Sequence, residues 1–253
     1  MVNHANTLED KVAFITGGNR GIGLETAREL GKLGATVVIT SRDAENGEAA
    51  AATLRSEGIK AESFQFDVTN ANDHQAAYDF LTQRYGKLDI LINNAGVQLE
   101  VEHLSPMNNT STLSTEVLRE TFDANFFSLV ALTQQLLPLI RKSTAGRIVN
   151  LSSVLGSLTL HANPEARIYG LKLLAYNASK TAVNAFTIHL AHELRDTSIK
   201  VNSAHPGWVR TEIGGKHADL DTSEGSKTSV KLATLSADGP SGKFFFEDNE
   251  LPW

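Results

Sequence analysis

The chain has 253 residues, 41% hydrophobic and 21% charged, which supports a sizeable buried core, excludes extended disorder and leads us to expect one domain over residues 1–253. A formal net charge of -6 with no dense Lys/Arg block argues against nucleic acid as a partner. The absence of cysteine excludes disulfides, thiolate nucleophiles and Cys-ligated zinc, so any redox chemistry must come from a bound cofactor. No segment approaches about 18 uninterrupted apolar residues. The opening residues, Met1 to Asn6, lack a basic stretch followed by an apolar one, so no membrane span is expected and the cytoplasm is the default location.

Apolar, β-branched runs of strand length recur along the chain with longer amphipathic segments between them. Strands are predicted at 11–17, 35–41, 60–68, 88–93, 146–152, 199–205 and 243–247. Helices are predicted at 22–33, 44–57, 70–85, 114–141, 173–194 and 223–236, with Asn or Asp at several starts and Gly31, Gly34, Gly58 and Gly86 near the ends. Runs such as Val12-Ala13-Phe14-Ile15 and Val37-Val38-Ile39 are apolar at successive positions, as in strands covered on both faces. The expected class is α/β, a doubly wound, seven-stranded parallel sheet with helices on both faces. Two irregular stretches, 97–113 and Gly156 to Gly170, follow strands whose carboxyl ends are where such sheets hold ligands.

Thr16-Gly17-Gly18-Asn19-Arg20-Gly21-Ile22-Gly23 follows the first strand and opens the first helix. Glycines there let the backbone approach a pyrophosphate, and the helix N-terminus supplies free N–H groups. The spacing Gly17-x-x-x-Gly21-x-Gly23 resembles the T-G-x-x-x-G-x-G of short-chain dehydrogenases/reductases. Asn93-Asn94-Ala95-Gly96 at the end of the fourth strand, Tyr176-x-x-x-Lys180 on a later helix and Pro206-Gly207 after the sixth strand follow in that family's order, so the resemblance spans residues 11–211. It implies a Rossmann fold and a nicotinamide cofactor held by Gly17, Asn19, Arg20, Gly21, Ile22, Gly23, Asn94, Ala95, Gly96, Tyr176, Lys180, Pro206, Gly207, Val209 and Thr211.

The second strand ends Thr40-Ser41-Arg42, where an NAD-selective site places a carboxylate for the ribose 2′-hydroxyl. Arg42 instead offers a charge-assisted partner for a 2′-phosphate, with Ser41 beside it, and Arg20 is placed to add a second cation. NADP(H) is therefore the expected cofactor, although the adjacent Asp43 is compatible with NAD. Asp67-Val68 resembles the family's adenine-contacting pair; Asp67 alone reads equally as a cap for the helix near Asn70. Thr211 similarly reads as a cofactor contact or a helix cap.

Reducing a carbonyl requires a hydride donor, a proton donor and stabilisation of charge on the oxygen. Tyr176 and Lys180, four apart on a predicted helix, share a face, and an ammonium nearby lowers a phenol's pKa. The resemblance makes Tyr176 the general acid and Lys180 its tuner and the holder of the nicotinamide ribose. It gives Asn125 a water in a proton relay and gives Ser153 the substrate oxygen, with Ser152 the competing choice. Tyr169 is a decoy, since Lys172 follows it at three residues and not four. His189 and His192 are three apart without a third ligand nearby, so no metal is assigned; His205 reads either as pocket lining or as a strand-end residue.

Ser153 and Tyr176 stand 23 apart, about ten more than in most of the family, which marks 156–172 as an insertion beside the active site. An insertion, Pro206-Gly207-Trp208 and the terminal Trp253 resemble the NADPH-dependent carbonyl reductase subgroup. The implied function is hydride transfer to ketones or aldehydes, on small-molecule substrates that are bulky or varied. The rivals are an NAD(P)-dependent alcohol dehydrogenase acting on a sugar, steroid or polyol, and a dinucleotide-sensing protein without turnover. Monomer and homodimer both remain compatible.

Overall fold

A computed structural model describes residues 8–100 and 109–253. In chain order the elements are β1 (Val12–Ile15), α1 (Gly21–Lys32), β2 (Thr36–Ser41), α2 (Ala44–Ser56), β3 (Ala61–Gln65), α3 (Ala71–Tyr85), β4 (Ile90–Asn93) and α4 (Thr115–Phe122). A π-helical turn (Asp123–Phe127) joins α4 to α5 (Ser128–Ile140). Then come β5 (Arg147–Leu151), a 3-10 turn (Val154–Gly156), α6 (Leu158–His161), α7 (Leu174–Glu193), β6 (Lys200–Ala204), α8 (Thr222–Ala233), β7 (Phe244–Phe246) and β8 (Asn249–Glu250). The strand order is β3-β2-β1-β4-β5-β6-β7-β8, with the first seven parallel.

The unbroken apolar strands are explained by two cores, one on each face. Ala13, Ile15, Val37, Ile39, Ile90 and Ile92 pack with Leu30 of α1, Leu54 of α2 and Leu232 of α8. Their alternates Val12, Phe14, Val38 and Leu91 pack with Leu81 of α3, Leu136 of α5 and Leu190 of α7. Period-two side chains thus divide evenly between faces that are both dry. β1 sits at the point where the strand order reverses, which opens a crevice above the carboxyl ends of β1 and β4.

Three expectations are corrected. The sheet has eight strands and not seven, because β8 turns back antiparallel to β7 after Glu247, whose φ of 50 allows the tight reversal. The predicted helix 114–141 is two α-helices separated by the π-turn. The irregular stretch after β5 contains the 3-10 turn and α6; of the other irregular stretch, residues 101–108 lie outside the described residues. Caps at Asp43, Asn70, Ser114 and Asp221 hold α2, α3, α4 and α8 as their residue types suggest.

Gly86 ends α3 in the left-handed region. Gly31, by contrast, lies inside α1, where a Cβ would stand 2.2 Å from Ile59 Cγ2, so this glycine serves close packing. Gly31→Ala should destabilise the fold by about 1–3 kcal/mol through overpacking, read as a lower denaturant midpoint with an unchanged slope.

Candidate active site

The glycine turn is built by backbone conformation. Gly17 and Gly21 adopt φ of 61 and 57, and a Cβ on Gly23 would stand 2.4 Å from Gly17 O. Arg20 is the N-cap of α1 but makes no side-chain cap, and no acid stands in the first turn. The N–H groups there are consequently open to an anion, with the dipole favouring one. Asn19 lies half-buried in the turn, and Ile22 packs against the core. From the loop after β6, Thr211 Cγ2 comes 3.6 Å from where a Cβ on Gly21 would sit. These residues fit the phosphate portion of a dinucleotide. Arg20 also pairs with Glu212, both side chains exposed.

At the end of β2, Ser41 is buried and its Oγ accepts from Asp43 N at 3.2 Å. Asp43 accepts from Asn46 N at 2.8 Å and so serves as the α2 cap. The Arg42 guanidinium is exposed and has no hydrogen-bond or ion-pair partner among the described residues. Asp67 accepts from Thr69 N at 2.9 Å and Thr69 Oγ1 at 2.8 Å; these bonds and the nearby charge of Arg42 hold its carboxyl below the usual range. The cap of α3 is Asn70, not Asp67. Val68 lines a small cavity with Thr16, Asn93 and Ala95, which places it beside the β4 end.

Asn94 ties the crevice together. Its Nδ2 donates to Thr16 O at 2.8 Å and Gly17 O at 3.1 Å, while Asn94 N and Ala95 N both donate to Thr16 Oγ1 at 2.9 Å. The side chain of Asn94 is therefore committed to shaping the glycine turn. At Gly96 a Cβ would stand 3.1 Å from Asn125 Oδ1 and 3.4 Å from Lys180 Nζ, so glycine lets both groups close in from different helices.

Asn125 sits in the π-turn, 1% exposed. Its Oδ1 accepts from Val97 N at 2.7 Å, and its Nδ2 donates to Val97 O at 2.9 Å and Ser179 Oγ at 3.0 Å. Ser152 Oγ donates to Lys180 O at 3.3 Å and is a packing group. Ser153 is the N-cap of the 3-10 turn, its Oγ accepting from Leu155 N at 3.2 Å, and it lies near enough to the Tyr176 phenol to favour that group's ionised form. Ser153, Tyr176, Lys180 and Asn125 are thus brought to one place at the carboxyl ends of β4 and β5.

Burial pushes the Tyr176 phenol up to about 12, against the downward pull of the Ser153 hydrogen bond. Burial also brings Lys180 down to about 8, and its Nζ donates to Leu151 O at 2.8 Å and lies 5.7 Å from the Tyr176 ring centre. The partner that opposes the upward shift of Tyr176 is therefore Ser153, whereas the sequence pattern pointed to Lys180. Tyr169 lies apart on an exposed loop under Lys172 Nζ, 4.6 Å from its ring centre. Among the described residues no group of three or more His, Asp or Glu is placed to hold a metal.

Beyond β6, Pro206 and Gly207 turn the chain over the cleft, with Gly207 at φ 85 and a Cβ there 2.3 Å from Leu220. Val209 is buried and bridges to Leu220. Thr211 Oγ1 accepts from Gly214 N at 3.2 Å, a turn contact rather than a helix cap. Val154 N donates to His205 Nδ1 at 3.2 Å, so that nitrogen is unprotonated, and burial brings His205 down to about 4.

The unfolded chain binds this proton near pH 6.5 while the folded chain resists it until about 4, so stability falls as pH drops through that window. His205→Gln should flatten this decline in denaturant midpoints taken between pH 6.5 and 4. A slope identical to that of the unaltered chain would overturn the assignment.

Two features escaped the sequence reading, the π-turn under Asn125 and the buried Glu100, whose carboxylate binds the first turn of α7. No hydrophobic periodicity marks the former, and the latter is 75 residues from its partner. Among the described residues no helix is long and apolar enough to cross a membrane.

Comparison with known proteins agrees with this geometry. The model of the family described as short chain dehydrogenase matches residues 11–220. Carbonyl reductase [NADPH] 1 of Homo sapiens is 34% identical, over 96% of this chain and 98% of that protein. Short-chain dehydrogenase/reductase 1 of Saponaria officinalis is 30% identical, over 97% of each. Among solved structures, NADPH-bound carbonyl reductase from chicken fatty liver superposes with a TM-score of 0.84 at 26% identity, covering 99% of this chain and 97% of that one. Salutaridine reductase from Papaver somniferum gives 0.79 at 29%, covering 93% and 99%. With its glycine turn, doubly wound sheet and matched length, the chain belongs to the short-chain dehydrogenase family.

Proposed function

We propose that the chain is an NADP(H)-dependent carbonyl reductase that reduces ketones or aldehydes, with Tyr176 as the general acid. The observation that carries this reading is the convergence of Ser153, Tyr176, Lys180 and Asn125 at the carboxyl ends of β4 and β5, with Lys180 Nζ 5.7 Å from the Tyr176 ring centre and Asn125 Oδ1 beside it at Gly96. The same proton transfer run backwards would serve an alcohol dehydrogenase, and it is the relatives named as NADPH carbonyl reductases that favour the reductive reading. NADPH, when bound, supplies the hydride.

Ser153 hydrogen-bonds the carbonyl oxygen and orients it toward Tyr176, which donates its proton there. Lys180, brought to about 8 by burial, exchanges protons near neutrality and can reprotonate the tyrosine. Asn125 holds Val97 and the Gly96 approach in place; a water held there would link Lys180 to solvent. Arg42, exposed and without a partner among the described residues, would hold the 2′-phosphate, and the open N-terminus of α1 would hold the pyrophosphate. Relatives named as NADPH enzymes support the same cofactor.

We assign bulky or varied carbonyl substrates to the site. Leu99 after β4, Leu158 at the start of α6 and Trp208 after β6 are exposed large apolar side chains, and Leu158 falls within the segment 156–172 read as an insertion. Exposed apolar side chains on the segments that follow the strand ends favour apolar substrates, which would bury that surface on binding.

Tyr176→Phe should lower kcat by roughly 10²–10⁴. NADPH affinity, followed by fluorescence, should stay within about twofold. Full turnover by that variant would overturn the mechanism. Arg42→Ala should weaken NADPH about tenfold, some 1.4 kcal/mol, while leaving NADH within about twofold, measured by titration of both cofactors.

A further inference from the structure

We infer that Glu100 is a positioning residue for Tyr176, resting on the reading of Tyr176 as the proton donor. The helix that carries Tyr176 and Lys180 begins without a cap of its own. Its N-cap residue, Leu173, is apolar, makes no side-chain cap and is buried, so water cannot readily satisfy the first N–H groups. Glu100, from the loop after β4, supplies the missing acceptors. Its Oε2 accepts from Tyr176 N at 2.9 Å and its Oε1 accepts from Ala175 N at 3.2 Å.

This carboxylate is 7% exposed and has no ion-pair partner among the described residues. A buried carboxylate without a cation is costly unless hydrogen bonds and a helix dipole offset it, and among the described residues the groups that do so are those of the reacting tyrosine's own turn. The contact is thus reciprocal: Glu100 is held in place by the turn that it orders.

The loop bearing Glu100 is anchored at its other end. Asn125 grips both the N–H and the C=O of Val97, three residues earlier. Val97 to Glu100 therefore forms a strap from the π-turn to the start of α7, running past Gly96, where Asn125 and Lys180 converge. The strap fixes the backbone of Tyr176 relative to Asn125 and Lys180. Displacement of a reacting group by about 1 Å can cost up to a hundredfold in rate, so loss of this anchor should appear in the chemical step before it appears in binding.

Glu100→Ala and Glu100→Gln test this in the full-length chain, with kcat and KM for an aromatic ketone, NADPH affinity, thermal stability and amide hydrogen exchange. Glu100→Ala should lose about tenfold or more in kcat while KM and NADPH affinity stay within about twofold, and exchange should accelerate at Ala175 and Tyr176 but not in β1 or β4. Glu100→Gln, retaining one acceptor oxygen, should be intermediate in both readouts and keeps the test open if the alanine variant folds poorly. Unchanged exchange at Ala175 and Tyr176, or a kcat within about twofold in Glu100→Ala, overturns the inference. Tyr176→Phe run in parallel separates the two readings: turnover retained there removes the proton-donor assignment, and the exchange result still decides whether Glu100 holds the turn.

Discussion

A parallel sheet delivers every strand to one edge, where the backbone must leave the ladder and still find partners for its polar groups. At the reversal point between β1 and β4 this demand is met by Thr16 and Asn94. Four hydrogen bonds between these two chain ends convert a split in the sheet into a braced crevice. Gly17 takes its left-handed conformation because it has no Cβ, and the missing Cβ at Gly23 leaves room for both Gly17 O and Asn94 Nδ2, which would stand 2.4 and 2.6 Å from it. The open N-terminus of α1, the approach of Thr211 and the position of Gly96 are set from this brace.

Around it the protein keeps its chemistry dry. Tyr176 and Lys180 are both pushed by burial toward their neutral forms, and the neutral His205 adds no charge beside them. The exposed Arg42 stands at the other, solvent-facing end of the crevice. On the proposed reading, charge recognition and proton transfer are separated along one cleft, the first where ions are hydrated and the second where a small change in protonation has a large electrostatic effect.

Much of this was legible in the sequence because it depends on local chemistry. The glycine turn, the Tyr176 and Lys180 spacing and the continuous apolar strands each follow from backbone freedom or periodicity, and the structure brings them together at the strand ends. The strands run shorter than predicted, since β-forming side chains such as Phe66 and Val68 continue past the end of β3 at Gln65. What stayed hidden is non-local. Glu100 reads as an ordinary loop acid until α7 arrives over it. Asn125 reads as one polar residue inside a long helix, and Asn94 reads as a ligand contact when its side chain is spent on the protein itself.

The π-turn at Asp123–Phe127 carries a consequence for how this chain can vary. A residue accommodated within one wide turn rotates everything downstream by about 100° relative to a continuous α-helix. α4 can thereby face α7 while α5, nearly collinear in sequence, faces α3. Loss of one residue from Asp123–Phe127 would restore a regular helix and leave composition almost untouched. It would also turn the Leu132, Leu136 and Leu139 stripe away from its core and carry Asn125 off Val97. Its length therefore matters in a way that its composition does not reveal: the segment works as a counted spacer that sets the rotation of α5 against α4.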